Sequence, residues 1–243
     1  MFKTLVIQPL FNLLVGLHNI IPGQDLGITI IALTIVIKLV LAPLSHQSLK
    51  SQKALQELQP KINELKSKHK DDKQALAQAT MEMYKQNKVN PFSSCLPVLI
   101  QLPFLYGIFE VLRQGLSPER LSLLYPFVSN PGTLNQLMFG LVDLAKPSWE
   151  LALLAALSQF WQSKMLMTVR PTMKTEGSKD EDVASIMNKQ MVYVFPALTF
   201  FIGLSLPSGL ALYWLVSTLF TVVQQYYAFR GIPHIKQAVI DVK

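Results

Sequence analysis

The sequence predicts an all-α fold, a polytopic membrane protein with five transmembrane helices, and three observations carry that prediction. Half of the 243 residues are apolar and only 15% are charged, with a positive mean hydropathy, which is not a soluble composition. Five segments approach the ~20 apolar residues that a helix needs to cross a bilayer core. Basic residues are unevenly distributed among the connections. Nine lysines lie between Ser45 and Phe92, five basic residues between Lys164 and Lys189 and three after Phe229. Only Lys3, Arg113, Arg120 and Lys146 lie on the other side. Because basic loops stay cytoplasmic, the bias places the N terminus outside and the C terminus inside, as five spans require.

In chain order, residues 1–22 are expected to form an amphipathic helix at the outer membrane interface. Phe2, Leu5, Val6, Leu10, Leu13, Leu14 and Leu17 recur at helical spacing, while Gln8, Asn12 and Asn19 interrupt any continuous apolar run. The competing reading is a cleavable signal peptide that starts at Lys3. Gln8 and Pro9 break its apolar stretch, and no A-x-A-like site follows. The first span, 26–45, holds a lysine, Lys38, inside "TIVIKLVLAPL".

Residues 46–90 are the most polar segment and read as a cytoplasmic helical hairpin. Leu55, Leu58, Ile62 and Leu65 are spaced three, four and three, a coiled-coil seam that Leu76, Ala79 and Met83 resume beyond "KHKDDK". Pro60 is expected to kink the first hairpin helix or to sit near its start. A solvated spacer and a docking device remain equal readings. The second span is 91–114, followed by an extracytoplasmic loop, 115–148, the third span, 149–167, and a cytoplasmic loop, 168–189. The fourth and fifth spans, 190–206 and 208–228, are separated by "LPSGL", whose Pro207 and Gly209 make a tight antiparallel turn. A cytoplasmic tail, 229–243, completes the chain.

No enzyme constellation is present. His18, His46, His69 and His234 are scattered, and neither a phosphate-binding glycine loop nor H-E-x-x-H or G-x-S-x-G occurs. The single cysteine, Cys95, excludes an intramolecular disulfide and reads as a buried structural thiol. What remains is polarity within the membrane: Lys38, Gln101, Gln159, Gln162, Gln224 and Gln225. Such groups face a bundle interior or a wet cavity, because lipid offers them no partner. For Lys38 two readings stay open. Its stem snorkels to the cytoplasmic boundary, or its charge stands in a hydrated cleft.

Four stretches together resemble the YidC family of membrane protein insertases, which has mitochondrial and thylakoid relatives. They are "IVIKLVLAPLSHQSLKSQKALQELQPKINELKSK", "MEMYKQNKVNPFSSCLPVLIQLPFLYGIFEVLR", "QFWQSKM" and "LPSGLALYWLVSTLFTVVQQYY", in the family's order and spacing over about residues 26–230. The resemblance implies a five-helix core around a hydrophilic groove, open to the cytoplasm and to lipid and closed toward the outside. It also implies insertion of small membrane proteins and hairpins, alone or beside the Sec translocon, with no ATP and no cofactor. Lys38 stands where the family usually has arginine, which keeps the charge and loses the planar fork. Gln162 and Trp214 fall where the family places groove-lining or client-contacting groups.

The client-binding groove is therefore expected to use Lys38, Gln101, Gln159, Phe160, Gln162 and Trp214, with Trp161 as a further apolar contact. For each aromatic the alternative is ordinary packing or interface anchoring. The partners implied are nascent client membrane proteins, the lipid bilayer, the Sec translocon, and ribosome or targeting factors at the hairpin and the 168–189 loop. No direct DNA binding is expected. The short tail argues against strong tail-mediated ribosome binding. With no large extracytoplasmic domain before the first span and no lipoprotein-type cysteine, the resemblance is to a minimal bacterial member in the inner membrane. The alternative, a small-molecule or ion transporter, calls for internal repeats and paired ionisable residues, and the sequence has one lysine and no repeat.

Overall fold

A computed structural model describes residues 3–69, 72–90, 96–114, 117, 121–132, 134–166 and 190–231. Cys95, the loop at 168–189 and the tail beyond Gly231 lie outside the described residues. Most of the described residues are helical. A π-helical turn, Lys3–Ile7, leads into α1, Gln8–Ile20, with Pro9 in its first turn, where a missing donor costs nothing. Phe11, Leu14, Val15 and His18 recur three, four and seven residues apart, and all are buried against α2 and α5. Leu5 from the expected apolar stripe is instead exposed. The polar interruptions have a local purpose. Gln8 Nε2 and Asn12 Nδ2 donate to Leu123 O at 3.1 and 2.9 Å, Asn12 Oδ1 accepts from Tyr125 N at 2.7 Å, and Asn19 Nδ2 donates to Ser129 O at 2.7 Å. One edge of α1 thus satisfies the backbone of the 121–129 loop.

Asp25 caps α2, Leu26–Val40, by accepting from Ile28 N at 2.9 Å. The apolar run does not continue as one straight helix: it breaks at Leu41, and α3, Ala42–Lys68, departs at 67°. Pro43 is the cause, because it has no N–H for the carbonyl four residues back and is accommodated without loss in the first turn of a new helix. Pro60, by contrast, lies inside α3. Leu58, Ile62 and Leu65 of α3 share a small apolar cluster with Met83 of α4, Lys73–Gln86. The start of α3 is docked on the end of the last helix, where Lys53 Nζ donates to Phe229 O at 3.0 Å.

Helix α5, Leu96–Gln114, crosses α1 closely at Gly107, where a Cβ would stand 2.6 Å from Leu10 Cδ1. Strands β1, Leu137–Met138, and β2, Val142–Asp143, form a two-stranded antiparallel hairpin. Next comes α6, Trp149–Leu166, then a π-helical turn, Gln190–Val194, α7, Phe195–Gly203, and α8, Ser208–Gly231. Buried Ala152, Ala155 and Ala156 let α6 pack tightly on α7 and α8. The first turn of α8 leaves N–H groups that the loop before α6 satisfies: Ser208 N donates to Lys146 O at 2.9 Å and Gly209 N to Leu144 O at 3.0 Å. The main core joins α1, α2, α5 and α8 through Phe11, Leu14, Ile30, Leu33, Ile108 and Tyr213. No single described helix is both long and apolar enough to cross a membrane alone, whereas the bent α2–α3 pair passes that test together.

Candidate functional site

Helix α8 separates two polar constellations. On one side, Lys38 sits in the last turn of α2, half-buried, with its ammonium turned inward. Nζ donates to Thr221 Oγ1 of α8 at 3.1 Å and, more weakly, to Gln101 Oε1 of α5 at 3.5 Å. Gln101 completes the path by donating from Nε2 to the hydroxyl of Tyr213, which is buried on α8. Thr221 in turn donates to Ser217 O at 2.9 Å, so its lone pair is presented to the lysine. Both partners of the ammonium are neutral oxygens. Among the described residues no ion pair joins Lys38 to a carboxylate. Two ion pairs lie elsewhere: Glu110 with Arg113 at 3.3 Å and Asp143 with Lys146 at 3.0 Å.

On the other side of α8, Trp214 lines a small apolar recess with Ala152, Ala155, Thr199, Gly203 and Leu210. Thr199 joins this recess to Gln159, whose Oε1 accepts from the threonine hydroxyl across the α6–α7 contact. Phe160, next along α6, packs on Tyr193 with ring centroids 5.9 Å apart and carries Lys164 Nζ 4.7 Å over its face. Trp161 is exposed. Gln162 is half-buried and, among the described residues, makes no hydrogen bond to either constellation.

Of the six residues expected to line a groove, the fold brings Lys38 and Gln101 together, and it groups Gln159 with Trp214 through Thr199. Phe160 adjoins the second group through α6, and Gln162 joins neither. Tyr213 and Thr221 are not foreseen from the sequence. The signal for them is their spacing: Tyr213, Ser217 and Thr221 stand four residues apart, so three hydroxyls share one face of an otherwise apolar helix.

Residues 16–235 match the family described as 60Kd inner membrane protein. The chain belongs to this family of inner membrane proteins. Its relatives in the YidC family include the membrane protein insertase YidC of Fusobacterium nucleatum subsp. nucleatum. That protein is 37% identical over 206 residues, covering 85% of this chain and 87% of the relative. The insertase YidC of Geobacter sulfurreducens is 33% identical over 225 residues, which is 93% of this chain but 37% of the relative. Insertase YidC 1 of Listeria monocytogenes serotype 4b is 37% identical over 206 residues, 83% of this chain and 63% of the relative. The chain thus spans most of one YidC relative and less than two thirds of the other two.

Proposed function

We propose that the chain is a membrane protein insertase that offers the Lys38 ammonium to acidic groups in a client's polar segment. The family supports the activity, and one observation supports the mechanism: an inward-facing ammonium is held by two neutral oxygens, Gln101 Oε1 and Thr221 Oγ1, and by no described carboxylate. Hydrogen bonds to neutral oxygens fix the position of a charge without neutralising it. A client carboxylate brought to this site exchanges a costly desolvation for an ion pair, which lowers a barrier of several kcal/mol per buried charge. Lysine, unlike arginine, presents a point charge with rotatable donors, so recognition here is by charge more than by shape.

In this reading α2, α5, α6, α7 with its π-helical turn, and α8 cross the membrane, with the N terminus outside. The basic-residue bias supports the orientation, and the apolar length of the bent α2–α3 pair supports the first span. A client's apolar segment would lie along α6 and α8, near Gln159, Phe160, Gln162 and Trp214. The α3–α4 pair would project into the cytoplasm toward ribosome or targeting factors, with the Sec translocon as a further partner. The chain's part is physical rather than covalent, and no cofactor is required.

Complementation of an insertase-depleted bacterium tests the proposal. The wild type and Lys38→Arg are expected to insert clients with acidic tails, and Lys38→Met to fail with them while still inserting clients with neutral tails. Equal insertion of acidic-tail clients by Lys38→Met would remove the charge mechanism, and failure of the wild type with every client would count against insertion itself.

A further inference from the structure

The β1–β2 hairpin carries an expense that its packing does not explain. Its tip, Phe139-Gly140, has φ of +51° and +71°, and Leu141 N donates to Met138 O at 3.0 Å, so both central residues of the turn are left-handed. Such turns favour Asn-Gly, and a bulky aromatic at the first of these positions is strained. The strained ring is not buried in return: Phe139 is 63% exposed and Leu141 85%.

The fold nevertheless holds this tip firmly. Asp25, while capping α2 through one carboxylate oxygen, accepts from Phe139 N through the other at 2.5 Å. Met138 seats in a notch on α2 that only glycine leaves open, since a Cβ on Gly27 would fall 2.3 Å from Met138 Cγ. Strain kept by a dedicated carboxylate, to display apolar side chains, points to a function for the display.

The occupant follows from where the tip hangs. It is fixed to the N-terminal end of α2, while the continuing loop at 143–146 is tied to the N-terminal end of α8. Trp149, 59% exposed, begins α6 just beyond that loop. These are the outer ends of three helices read as spans, so the tip stands at the level of the outer headgroups, where aromatic side chains collect. Lys146, in the same loop, has its side chain 78% exposed while its ammonium pairs with Asp143 at 3.0 Å.

We propose that the hairpin is a lipid wedge: Phe139 and Leu141 insert into the headgroup–acyl boundary of the outer leaflet and fix the height of α2 in the bilayer. The proposal rests on the membrane placement given above. Its consequence is that the depth of Lys38, thirteen residues beyond Asp25 along the same helix, is set from the outer surface.

The test uses the full chain in phosphatidylethanolamine–phosphatidylglycerol vesicles, in a Cys95→Ser background. An environment-sensitive fluorophore is attached to Leu141→Cys or, as a reference on the exposed flank of α8, to Val223→Cys. Lipids bearing a shallow spin label are expected to quench the probe at 141, with blue-shifted emission, and deeper labels to quench it less. Adding Phe139→Asn, which suits the left-handed turn, is expected to shift emission to the red and to lose that quenching while the fold is kept. Aqueous emission with iodide quenching at 141, or unchanged lipid quenching in the Phe139→Asn protein, would overturn the wedge while quenching at 223 upholds the placement. Protection of 141 from both lipid and aqueous quenchers would overturn it in favour of a protein partner, a second copy included. Loss of lipid quenching at both 141 and 223 would instead remove the placement on which the proposal rests.

Discussion

Tyr213 and Trp214 are neighbours in sequence and serve different faces of α8. The Tyr213 hydroxyl accepts from Gln101 Nε2 in the constellation that holds Lys38, whereas Trp214 lines the recess beside Thr199 and Gly203. Successive residues on a helix point about 100° apart, so one turn of α8 serves as the wall of both sites. Movement of α8 at Trp214 would therefore be felt by the lysine.

This relationship makes Tyr213→Phe informative. The ring volume is kept, and half-buried Gln101 Nε2 loses its acceptor, which costs up to about 1–3 kcal/mol where water does not replace it. Gln101 then has no reason to keep its oxygen on Lys38. Thermal unfolding in detergent is expected to drop accordingly, with a larger loss of insertion for acidic-tail clients than for neutral-tail ones. Equal losses for both clients would mean that Tyr213 acts on stability alone.

How much of this was legible in the sequence depends on the residue. Lys38 and Gln101 stood out because charged and amide side chains are rare in apolar helices, and the fold joins them. Tyr213 and Thr221 pass unnoticed among apolar neighbours, and only their spacing reveals a polar face. Gln8, Asn12 and Asn19 read as defects in an amphipathic stripe because their partners are backbone groups more than a hundred residues away, which no local pattern discloses. The break at Leu41 was marked by Pro43, but a proline near the end of an apolar run is compatible with either a helix end or a bend.

Asn12 offers a direct measure of the α1–loop contact. Its amide donates to Leu123 O and accepts from Tyr125 N, and the residue is almost fully buried. Asn12→Ala leaves both backbone groups without this partner, at a cost of about 1–3 kcal/mol for each group that water does not reach. Amide hydrogen exchange is expected to show Tyr125 losing protection while the amides of α8 keep theirs. Unchanged protection at Tyr125 would mean that the loop is held by other contacts.

Lys53 ties the start of α3 to the end of α8. Its ammonium donates to Phe229 O in the last turn of α8, where carbonyls lack helical partners and the helix dipole favours a cation. Lys53→Met keeps the stem and removes the donor, so a loss of about 0.5–2 kcal/mol is expected. Exchange should quicken in the last turn of α8, and limited proteolysis should reach that end sooner. Lys53→Arg is expected to restore much of the protection, which a purely steric role for the side chain would not predict.

His18 gives the fold a pH dependence whose sign can be worked out. Thr29 Oγ1 donates to Asp25 O at 2.7 Å, so its lone pair faces His18 Nδ1 at 3.2 Å and the imidazole carries its proton on Nδ1. Nε2 is then a lone pair, buried with no hydrogen-bond partner among the described residues. Burial lowers the imidazole below its ordinary value of 6.5, with the Asp25 charge partly opposing. The unfolded chain thus binds this proton more tightly than the folded chain. The stabilising contribution is complete above pH ~6.5 and is lost as the pH falls toward the folded value, with a slope of at most about 1.4 kcal/mol per pH unit. Unfolding midpoints are expected to fall between pH 7.5 and pH 5.5. His18→Asn keeps a short donor near Thr29 and cannot titrate, so it should flatten that fall. An equal fall in wild type and variant would assign the pH dependence to other groups.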